Sequence, residues 1–341
     1  MSPPPGFGSP HHPSDFVIKL HKFLYGLKQA PRAWNDKFTS FLPRLGFQAS
    51  LADPYLFVKH ASLGIVVLLL YVDDIILTGS SSSDIATVIL ELTKAFDMKD
   101  MGQLNYFMGL QISYHSNGLF VSQQKYARDL LARVNMSNSK LCATPCFPYH
   151  RLLKDDGDPY HSPDQYRSIA GALQYLTFTC PDIAFVIKQC CQFMHQPMNS
   201  HVVAVKRILR YLSGTIHYDI NFQPENLSLH AYSDADWVGD PNDRRSTSGY
   251  IVYCGSSPIS WASKKQHTVS RSSTEAEYRA LAITAQNYPG SDSYCVIFMY
   301  LFLLLHYCYV IISVPLPCLP IRYFILELNI SRLTIILSAK G

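Results

Sequence analysis

An acidic pair between two short apolar runs constrains the fold of this chain of 341 residues more than any other feature. Asp73 and Asp74 lie between the runs Ile65–Leu70 and Ile75–Leu77. Both runs consist of Ile, Val and Leu and are too short for typical helices, so they predict two strands that meet at a tight turn. Adjacent carboxylates repel each other unless a cation is present, and oxygen ligands suit Mg²⁺. The alternative is an ordinary hairpin turn, in which Asp is common.

The composition predicts a packed protein of several domains in a reducing compartment. Apolar residues make up 48% of the chain, and its length suffices for about two or three modest domains. The net charge of +4 permits nucleic-acid binding without arguing for it. Nine cysteines show no paired framework, and no signal peptide begins at Met1. We therefore expect an intracellular protein, cytoplasmic or nuclear.

The chain begins with a predicted irregular arm and leads into the first predicted helix. Residues 1–14 are rich in Pro, Gly, Ser and His and predict an irregular arm. Pro31 is typical of the start of a helix, which we expect to run to about Leu45 and to end at Gly46. Lys28, just ahead of that helix, could meet a phosphate, although a solvated cation is an equal alternative.

The middle of the chain alternates helical and strand patterns. Asp84 predicts the cap of the first helix after the hairpin. Residues 142–165 contain four prolines and predict a linker. Lys206 and Arg210 share one face of a later helix, where a solvated face and contact with a nucleic-acid backbone are the two alternatives. The remaining expectations are helices at Ile85–Asp97, Lys125–Val134, Tyr166–Phe178, Pro181–Met194 and Val202–Ser213, and a strand at Phe107–Tyr114.

A second acidic region begins where an alternating strand ends in Asp234. Two more strands are expected near Ser248–Cys254 and Pro258–Ala262, followed by a helix that opens with Thr274-x-x-Glu277, the pattern of a capping box. Glu277 could project toward Asp234, or it could serve only as the cap. The expected buried face of this helix holds Tyr278, Leu281, Ala282 and Ala285, and the expected solvated acids are Asp236, Asp240 and Glu275.

Sequence blocks along most of the chain resemble one family. The segments LYGLKQAPRAW, LLLYVDDIILTG, YRSIAGALQYLTFTCPDIAF, AYSDADWVGD and SRSSTEAEYRALA stand in the order found in copia-type LTR retrotransposon Pol polyproteins. The resemblance extends from Met1 to about Asn287 and covers the reverse transcriptase and ribonuclease H region of such polyproteins.

The resemblance implies an α+β fold built from successive parts. These are a truncated reverse-transcriptase palm and thumb, a helical connection, an incomplete ribonuclease H-like domain and an apolar C-terminal tail. The expected boundaries are an irregular arm at 1–14, the partial reverse transcriptase at 15–141, a linker at 142–165, the helical connection at 166–227, the partial ribonuclease H-like domain at 228–287 and an unrelated tail at 288–341.

The resemblance also implies the chemistry of both acidic regions. RNA-directed DNA synthesis would use Mg²⁺ held by Asp73 and Asp74, and hydrolysis of the RNA strand would use Mg²⁺ held by Asp234 and Glu277. The implied partners are an RNA template, a DNA primer and deoxynucleotides. Nucleic-acid or nucleotide contacts are expected at Gly26, Lys28, Gln29, Pro31, Tyr71, Lys206 and Arg210.

Two departures from the family pattern predict a degenerate fragment with little or no activity. The family's polymerase uses a third carboxylate on a strand that would lie upstream of Met1. The family's ribonuclease H continues after its Glu-bearing helix to an Asp-Asn strand and a His-bearing segment, but the resemblance ends after Asn287. A non-catalytic nucleic-acid-binding remnant is one alternative function.

The apolar tail raises a further alternative. The stretch Tyr294–Val314 has 21 residues and no charge, long enough to cross a bilayer about 30 Å thick as a helix. It is either a membrane-spanning segment, which would make the protein membrane-anchored, or the translation of shifted or non-coding sequence. We expect it in either case to lie outside the ribonuclease H fold.

Overall fold

The computed structural model describes residues 27–50, 54–61, 64–71, 74–116, 118–148, 151–223, 228–287, 307–313 and 334–335. The chain divides into two compact units. The first comprises the described residues up to Gly102, and the second those from Gln103 to Asn287. The last two described segments are short strands. Gly26, Asp73 and the arm at 1–14 lie outside the described residues.

The first unit packs two helices against an antiparallel sheet. A single turn of 3₁₀ helix at Leu42–Leu45 follows the first helix and ends at Gly46, whose φ of 85° suits a residue without a Cβ. The elements in chain order are α1 (Ala30–Phe41), β1 (Gln48–Ala49), β2 (Leu56–Ala61), β3 (Gly64–Tyr71), β4 (Asp74–Gly79), α2 (Ser82–Ala95) and β5 (Met98–Gln103).

The predicted hairpin is confirmed as β3 and β4. The two strands pair antiparallel from Val66 with Gly79 to Tyr71 with Asp74. Leu68 and Leu70 share a buried cluster with Phe38 of α1 and Val88 of α2. Five consecutive residues of each strand are buried, so the hairpin is covered on both faces. Its position is therefore fixed by packing as well as by its hydrogen bonds.

The ends of the first two helices were predicted with mixed success. The start of α1 near Pro31 and the termination at Gly46 are confirmed. The cap of α2 is Ser81, whose hydroxyl accepts a hydrogen bond from the Asp84 backbone N–H at 3.3 Å, so the prediction of Asp84 as the cap is wrong. Asp84 lies instead in the first turn, where its charge suits the helix dipole.

The second unit contains five helices and two sheets among its described residues up to Asn287. The first sheet has the antiparallel order β6–β7–β8–β9. The elements are β6 (Tyr106–Phe107), β7 (Leu110–His115), β8 (Gly118–Ser122), α3 (Gln124–Arg133), α4 (Pro163–Leu176), α5 (Ala184–Cys191), α6 (Asn199–Gly214), β9 (Ile220–Phe222), β10 (Leu229–Asp236), β11 (Thr247–Cys254), β12 (Ser257–Lys265) and α7 (Ser273–Asn287).

The helices expected for the thumb and the connection are confirmed, with α5 shorter than predicted. A 3₁₀ turn at Pro181–Ile183 precedes α5, which ends at Cys191. One buried cluster unites α3, α4, α5 and α6 through residues such as Leu130, Leu173 and Ile208. The single strand expected at Phe107–Tyr114 is divided between β6 and β7, because a turn at Met108 and Gly109 interrupts it.

The second sheet carries the later acidic region. Its core is the antiparallel ladder of β10, β11 and β12, with β11 in the middle. The strand β14 (Thr334–Ile335) pairs parallel with β10 at His230 and Ala231. On one face, Ala235 packs against Ala276 and Ala280 of α7.

The tail contributes strands within its described part. The strand β13 (Tyr307–Ser313) lies between β4 and β5 in the order of the first unit's six-stranded sheet. The membrane-spanning alternative would need a helix over Tyr294–Val314, and it does not hold at 307–313, where the structure has a strand. The other residues of that stretch lie outside the described ones. Two described residues of the tail, Thr334 and Ile335, pair with β10. The expected boundary of an unrelated tail at 288–341 stays a prediction. None of the described helices is both long and apolar enough to span a membrane.

A buried histidine joins the linker to α6. The Nδ1 atom of His201 accepts a hydrogen bond from the Met198 backbone N–H at 2.9 Å, and its Nε2 donates to the Leu153 carbonyl at 2.8 Å. The ring stacks on Phe193 with centroids 3.9 Å apart. Burial lowers the pKa of His201 below its ordinary 6.5, although the Leu153 carbonyl and the charge of Asp156 favour protonation. The ring is therefore held in its neutral form.

This histidine is expected to make folding stability depend on pH. An unfolded histidine binds a proton as the pH falls below about 6.5, while the folded His201 does not until a lower pH. The stability contributed above 6.5 is therefore lost as the pH falls from 6.5 toward the folded pKa, with a slope of at most about 1.4 kcal/mol per pH unit. Urea unfolding at about pH 7.5 and about pH 5.5 should show a smaller pH difference in His201→Gln than in the wild type.

The exposed His195 provides the matched control. His195→Gln should keep the pH difference of the wild type. An unchanged difference in His201→Gln would contradict the assignment of a neutral, buried ring.

Candidate functional site

The first candidate site lies at the closed end of the β3–β4 hairpin. Tyr71 pairs directly with Asp74, which leaves only positions 72 and 73 between the two strands. Both paired residues are half-buried. Because the apolar residues behind them are buried on both faces, the hairpin presents Asp74 from a rigid base. Asp73 lies outside the described residues, so the structure places one carboxylate of the predicted pair.

The residues ahead of α1 occupy a turn. Lys28 and Gln29 are exposed, and Pro31 takes up the first turn of the helix. The next apolar residue, Ala30, is buried, and its N–H donates to the Leu27 carbonyl at 3.0 Å. This arrangement leaves the ammonium group of Lys28 in solvent at the helix start. That position fits contact with a phosphate and a role as a solvated cation equally.

The second candidate site is an open cavity of about 1160 Å³ in the second unit. Its walls are formed by β10, β11, β12, α7 and the start of α5. Asp234 and Glu277, predicted to act together, both line it. The lining acids are Asp182, Asp234 and Glu277, and the lining aromatic residues are Phe185, Tyr232, Tyr250, Trp261 and Tyr278.

Asp234 lies near the C-terminal end of β10 and lines the cavity from there. The pairing of β14 with β10 involves His230 and Ala231, so it ends before Asp234. On the other side of β10, Asp234 pairs with Gly249 of β11. The carboxylate is exposed and makes no hydrogen bond or ion pair within the described part of the chain. It is therefore available to a ligand.

Glu277 is not the cap of α7, so the capping alternative is wrong. The Ser272 hydroxyl accepts a hydrogen bond from the Glu275 N–H at 3.1 Å, and the Glu275 carboxylate accepts one from the Arg271 N–H at 2.7 Å. These two bonds cap the helix start with Ser272, two residues before the Thr274 of the predicted capping box. Glu277 remains exposed on the cavity wall, without a hydrogen bond among the described residues.

The buried face of α7 is shifted from the predicted one. The buried residues are Ala276, Ala280 and Thr284, whereas Tyr278 is 68% exposed. The Thr284 hydroxyl donates to the Ala280 carbonyl at 2.8 Å, which removes the cost of burying it. The expected set of Tyr278, Leu281, Ala282 and Ala285 is therefore wrong as a buried face, and Tyr278 and Leu281 line the cavity instead.

The three acids expected to be solvated, Asp236, Asp240 and Glu275, all have hydrogen-bond or ion-pair partners in the structure. The expectation is wrong for Asp236 and Asp240, and for Glu275 it misses the partners that hold the side chain. Asp236 accepts hydrogen bonds from the Thr247 N–H and from Arg151. Burial raises its pKa, although both of these donors oppose the rise.

Asp240 is buried at 8% exposure. Its carboxylate accepts a hydrogen bond from the Lys265 ammonium at 2.5 Å, and that ammonium also contacts Asp243 at 2.8 Å and the side-chain oxygen of Gln192 at 2.7 Å. Burial alone would raise the pKa of Asp240, but Lys265 and the donors of Asn242 hold it below its usual range. The charge of Asp240 is therefore neutralised inside the protein and is unavailable to a metal.

The half-buried Glu275 is held by its bonds at the helix start and by Arg279. Its carboxylate contacts Arg279 at 2.6 Å, and the pKa of Glu275 is lowered by the Arg271 N–H first and by Arg279 second. The charge of Glu275 thus serves the helix start.

The basic face of α6 divides into two parts. Lys206 is exposed, as both of its predicted roles require. Arg210 is half-buried, and its carbonyl accepts a hydrogen bond from the Cys142 N–H at 3.4 Å. The neighbouring Arg207 stacks over the Phe147 ring at 3.8 Å and donates to the Thr144 hydroxyl at 2.7 Å. This helix therefore binds the linker through its arginines and leaves Lys206 in solvent.

The donor set of the cavity fits a hard cation. No group of three or more His, Cys, Asp and Glu side chains suited to one metal ion occurs within the ranges described above. Mg²⁺, however, usually binds through one or two carboxylates and completes its shell with water and substrate phosphate oxygens. Asp234 and Glu277 supply that number and kind of oxygen ligands.

Comparison with known proteins places the chain in a family. A family model described as reverse transcriptase (RNA-dependent DNA polymerase) matches residues 1–148. The chain is 49% identical over 286 residues to the Retrovirus-related Pol polyprotein from transposon RE1 of Arabidopsis thaliana, covering 84% of this chain and 19% of the relative. It is 38% identical to that of transposon TNT 1-94 of Nicotiana tabacum, covering 84% of this chain and 22% of the relative.

A shorter relative is covered almost completely. The putative transposon Ty5-1 protein of Saccharomyces cerevisiae is 32% identical over 279 residues, covering 81% of this chain and 90% of the relative. The chain belongs to the reverse transcriptase family of copia-type retrotransposon Pol polyproteins. It spans about a fifth of the length of the Pol polyproteins it matches.

The family model covers the hairpin site but not the cavity. Residues 1–148 of this retrotransposon Pol segment include the hairpin with Tyr71 and Asp74 but none of the residues that line the cavity. The sequence reasoning missed Phe185 and Gly249 as cavity residues. A glycine inside the alternating pattern of β11 was the available signal for Gly249, because glycine in a strand often marks a close approach of another molecule.

The two neighbouring glutamates of α7 predict different mutant behaviour. Glu275→Gln should lower the melting temperature, because a neutral amide holds the Arg271 N–H and Arg279 less strongly than a carboxylate does. Glu277→Gln should leave the melting temperature unchanged or raise it slightly, because it removes one of the acids that line the cavity without removing a bond. Thermal unfolding in EDTA measures both, and a larger loss in Glu277→Gln would refute the capping assignment.

Proposed function

We propose that this retrotransposon Pol segment binds RNA–DNA hybrids and hydrolyses the RNA strand in the cavity of the second unit, with Mg²⁺ held between Asp234 and Glu277. The observation that carries the proposal is that these two carboxylates line one cavity and have no hydrogen-bond partner among the described residues. The strand acid and the helix acid also resemble the arrangement of ribonuclease H, as the sequence motifs imply.

The charge of the cavity supports a requirement for a cation. Three carboxylates line it, and no Lys or Arg belongs to its described lining. A nucleic acid is a polyanion, so such a cavity repels its phosphates when no cation is bound. Asp182 is already engaged, since the Tyr211 hydroxyl donates to it at 2.5 Å. The repulsion of nucleic-acid phosphates therefore comes mainly from Asp234 and Glu277. A divalent cation bound to these two carboxylates would attract the phosphates instead.

The protein groups have separable tasks in this proposal. Asp234 and Glu277 bind the cation from β10 and α7, whose mutual packing through Ala235, Ala276 and Ala280 fixes their positions. When bound, Mg²⁺ supplies Lewis-acid stabilisation of the phosphate oxygens and lowers the pKa of a bound water. Tyr232, 41% exposed, and Phe185, 38% exposed, present flat apolar surfaces on which nucleic-acid bases or sugars can pack.

The number of carboxylates limits the expected rate. Two carboxylates hold one ion well, but a pair of ions that clamps both the attacking and the leaving oxygen needs further oxygen ligands. No cluster of three such ligands exists in the described ranges. We therefore propose slow hydrolysis by this chain on its own, in agreement with the expectation of a fragment with little activity.

Hybrid cleavage tests the proposal directly. We expect the chain to bind a labelled RNA–DNA hybrid only when a divalent cation such as Mg²⁺, Mn²⁺ or Ca²⁺ is present, and to cleave its RNA strand slowly with Mg²⁺ or Mn²⁺. Asp234→Asn and Glu277→Gln should each reduce cleavage at least about a hundredfold, because each removes one of two metal ligands. Gel analysis of the RNA strand measures cleavage, and filter retention measures binding.

Glu275→Gln is the control for cleavage, since it removes an acid from the same helix that does not line the cavity. It should retain wild-type cleavage at a temperature well below its melting temperature. Binding that falls with salt but needs no divalent cation, without cleavage, would instead identify a non-catalytic nucleic-acid-binding remnant.

We also propose that the hairpin site descends from a polymerase centre. The family match of residues 1–148 supports this ancestry, and so does the position of Asp74 at the closed end of a rigid hairpin. Asp73 and Asp74 would hold Mg²⁺ beside the primer end and the deoxynucleotide phosphates, and Tyr71 would contact the nucleic acid. Gly26, Lys28, Gln29, Pro31, Lys206 and Arg210 are likewise proposed to contact the RNA template or the DNA primer.

Primer extension tests the activity of this hairpin. We expect no incorporation above that of a variant carrying Asp73→Asn and Asp74→Asn, because two adjacent carboxylates alone do not complete a two-ion centre. Extension of a DNA primer on an RNA template is measured with Mg²⁺ and with Mn²⁺. Incorporation by the wild type that the double variant lacks would contradict the expectation and show that the hairpin is a working centre.

A further inference from the structure

A glycine lies beside the Asp234 carboxylate on the floor of the cavity. In the three-stranded ladder, Asp234 of β10 pairs with Gly249 of β11, and Gly249 pairs with Ser263 of β12. Directly paired residues of antiparallel strands project to the same face of a sheet. Asp234 and position 249 therefore share one face, and both residues line the cavity.

Neither backbone geometry nor packing requires glycine at this position. Gly249 is not among the residues with a positive φ, so its conformation is open to any residue. A Cβ atom built on Gly249 would meet no atom within 4 Å. Glycine weakens a strand because it has no side chain to pack and loses much conformational freedom on folding. A side chain would thus fit here and strengthen β11.

What glycine provides at this position is empty space next to Asp234. We propose that Gly249 is a positioning residue: it keeps the cavity floor open so that the sugar–phosphate backbone of the RNA strand can reach the cation at Asp234. This inference rests on the proposed function of the cavity and adds to it the surface over which the substrate strand lies.

The geometry of the ladder supports this choice of occupant. The Cβ atoms of directly paired residues are about 5 Å apart, which is less than the width of a ribose. A phosphate bound at the cation of Asp234 therefore brings its own ribose over the neighbouring position. The exposed Tyr232, two residues before Asp234 and on the same face, also lines the cavity. A methyl group at position 249 would occupy the volume that the ribose needs.

The test separates stability from substrate binding. Gly249→Ala and Gly249→Val should raise the melting temperature or leave it unchanged, because the added side chains enter open space in a strand. Binding of a fluorescent RNA–DNA hybrid, measured by anisotropy with Ca²⁺ as a cation, should weaken. We expect the Kd to rise about threefold for Ala and about tenfold for Val, the latter equal to about 1.4 kcal/mol.

Gly171 offers a matched control on α4. It also has no positive φ and no neighbour within 4 Å of a built Cβ, but it is exposed and does not line the cavity. Gly171→Ala should raise the melting temperature, since alanine favours the helix, and should leave the Kd for the hybrid unchanged.

Each outcome decides between the two proposals. If the wild type binds the hybrid and both Gly249 variants bind it equally well, the positioning role of Gly249 is wrong while the proposed function stands. If both Gly249 variants lose stability, glycine is required by the fold and the inference fails. If the wild type shows no cation-dependent binding of the hybrid, the proposed function fails, and the inference fails with it.

Discussion

The antiparallel register between β10 and β11 is the constraint on which the second unit depends. Eight consecutive pairs, from Leu229 with Cys254 to Asp236 with Thr247, fix every side chain of β10 to one face or the other. A slip by one residue would exchange the faces, burying Asp234 against α7 and exposing Ala235. The alanine contact with α7 opposes such a slip, because it removes apolar surface from water only in the observed register. The cavity and its carboxylates are thus consequences of strand pairing.

Sequence patterns predicted the elements well because each is set by local chemistry. The hairpin strands follow from uninterrupted runs of Ile, Val and Leu, and the limits of α1 follow from Pro31 and Gly46. The resemblance of motifs predicted that Asp234 and Glu277 act together, and in the structure both line the same cavity. The hairpin and the limits of α1 each depend on a few neighbouring residues, so local patterns suffice to predict them. The joint placement of Asp234 and Glu277 instead followed from the family resemblance.

The errors arose where several local solutions compete. The start of α2 offers two good capping residues, Ser81 and Asp84, and the start of α7 offers Ser272 and Thr274. Only the path of the preceding chain decides which one faces the free N–H groups of the helix. The buried face of α7 was misplaced for a different reason: the small Ala276 and Ala280 pack against Ala235 of β10, while the larger Tyr278 is exposed. Asp236 and Asp240 were misjudged because their partners Arg151 and Lys265 are distant in sequence. Such long-range pairs leave no local pattern.

The network around Lys265 determines how the second unit can be divided. Its ammonium joins Asp240 and Asp243 of the acidic loop to Gln192, which follows α5, and the nearby Trp261 indole donates to the Thr177 carbonyl at 2.8 Å. Excising residues 228–287 would remove the Gln192 acceptor of Lys265 and the Thr177 acceptor of the Trp261 indole. We therefore expect the sheet of β10, β11 and β12 to fold as one unit with the helices α4 and α5. Recombination between related elements would yield a folded hybrid protein more readily with a crossover upstream of α4 than with one between α6 and β10.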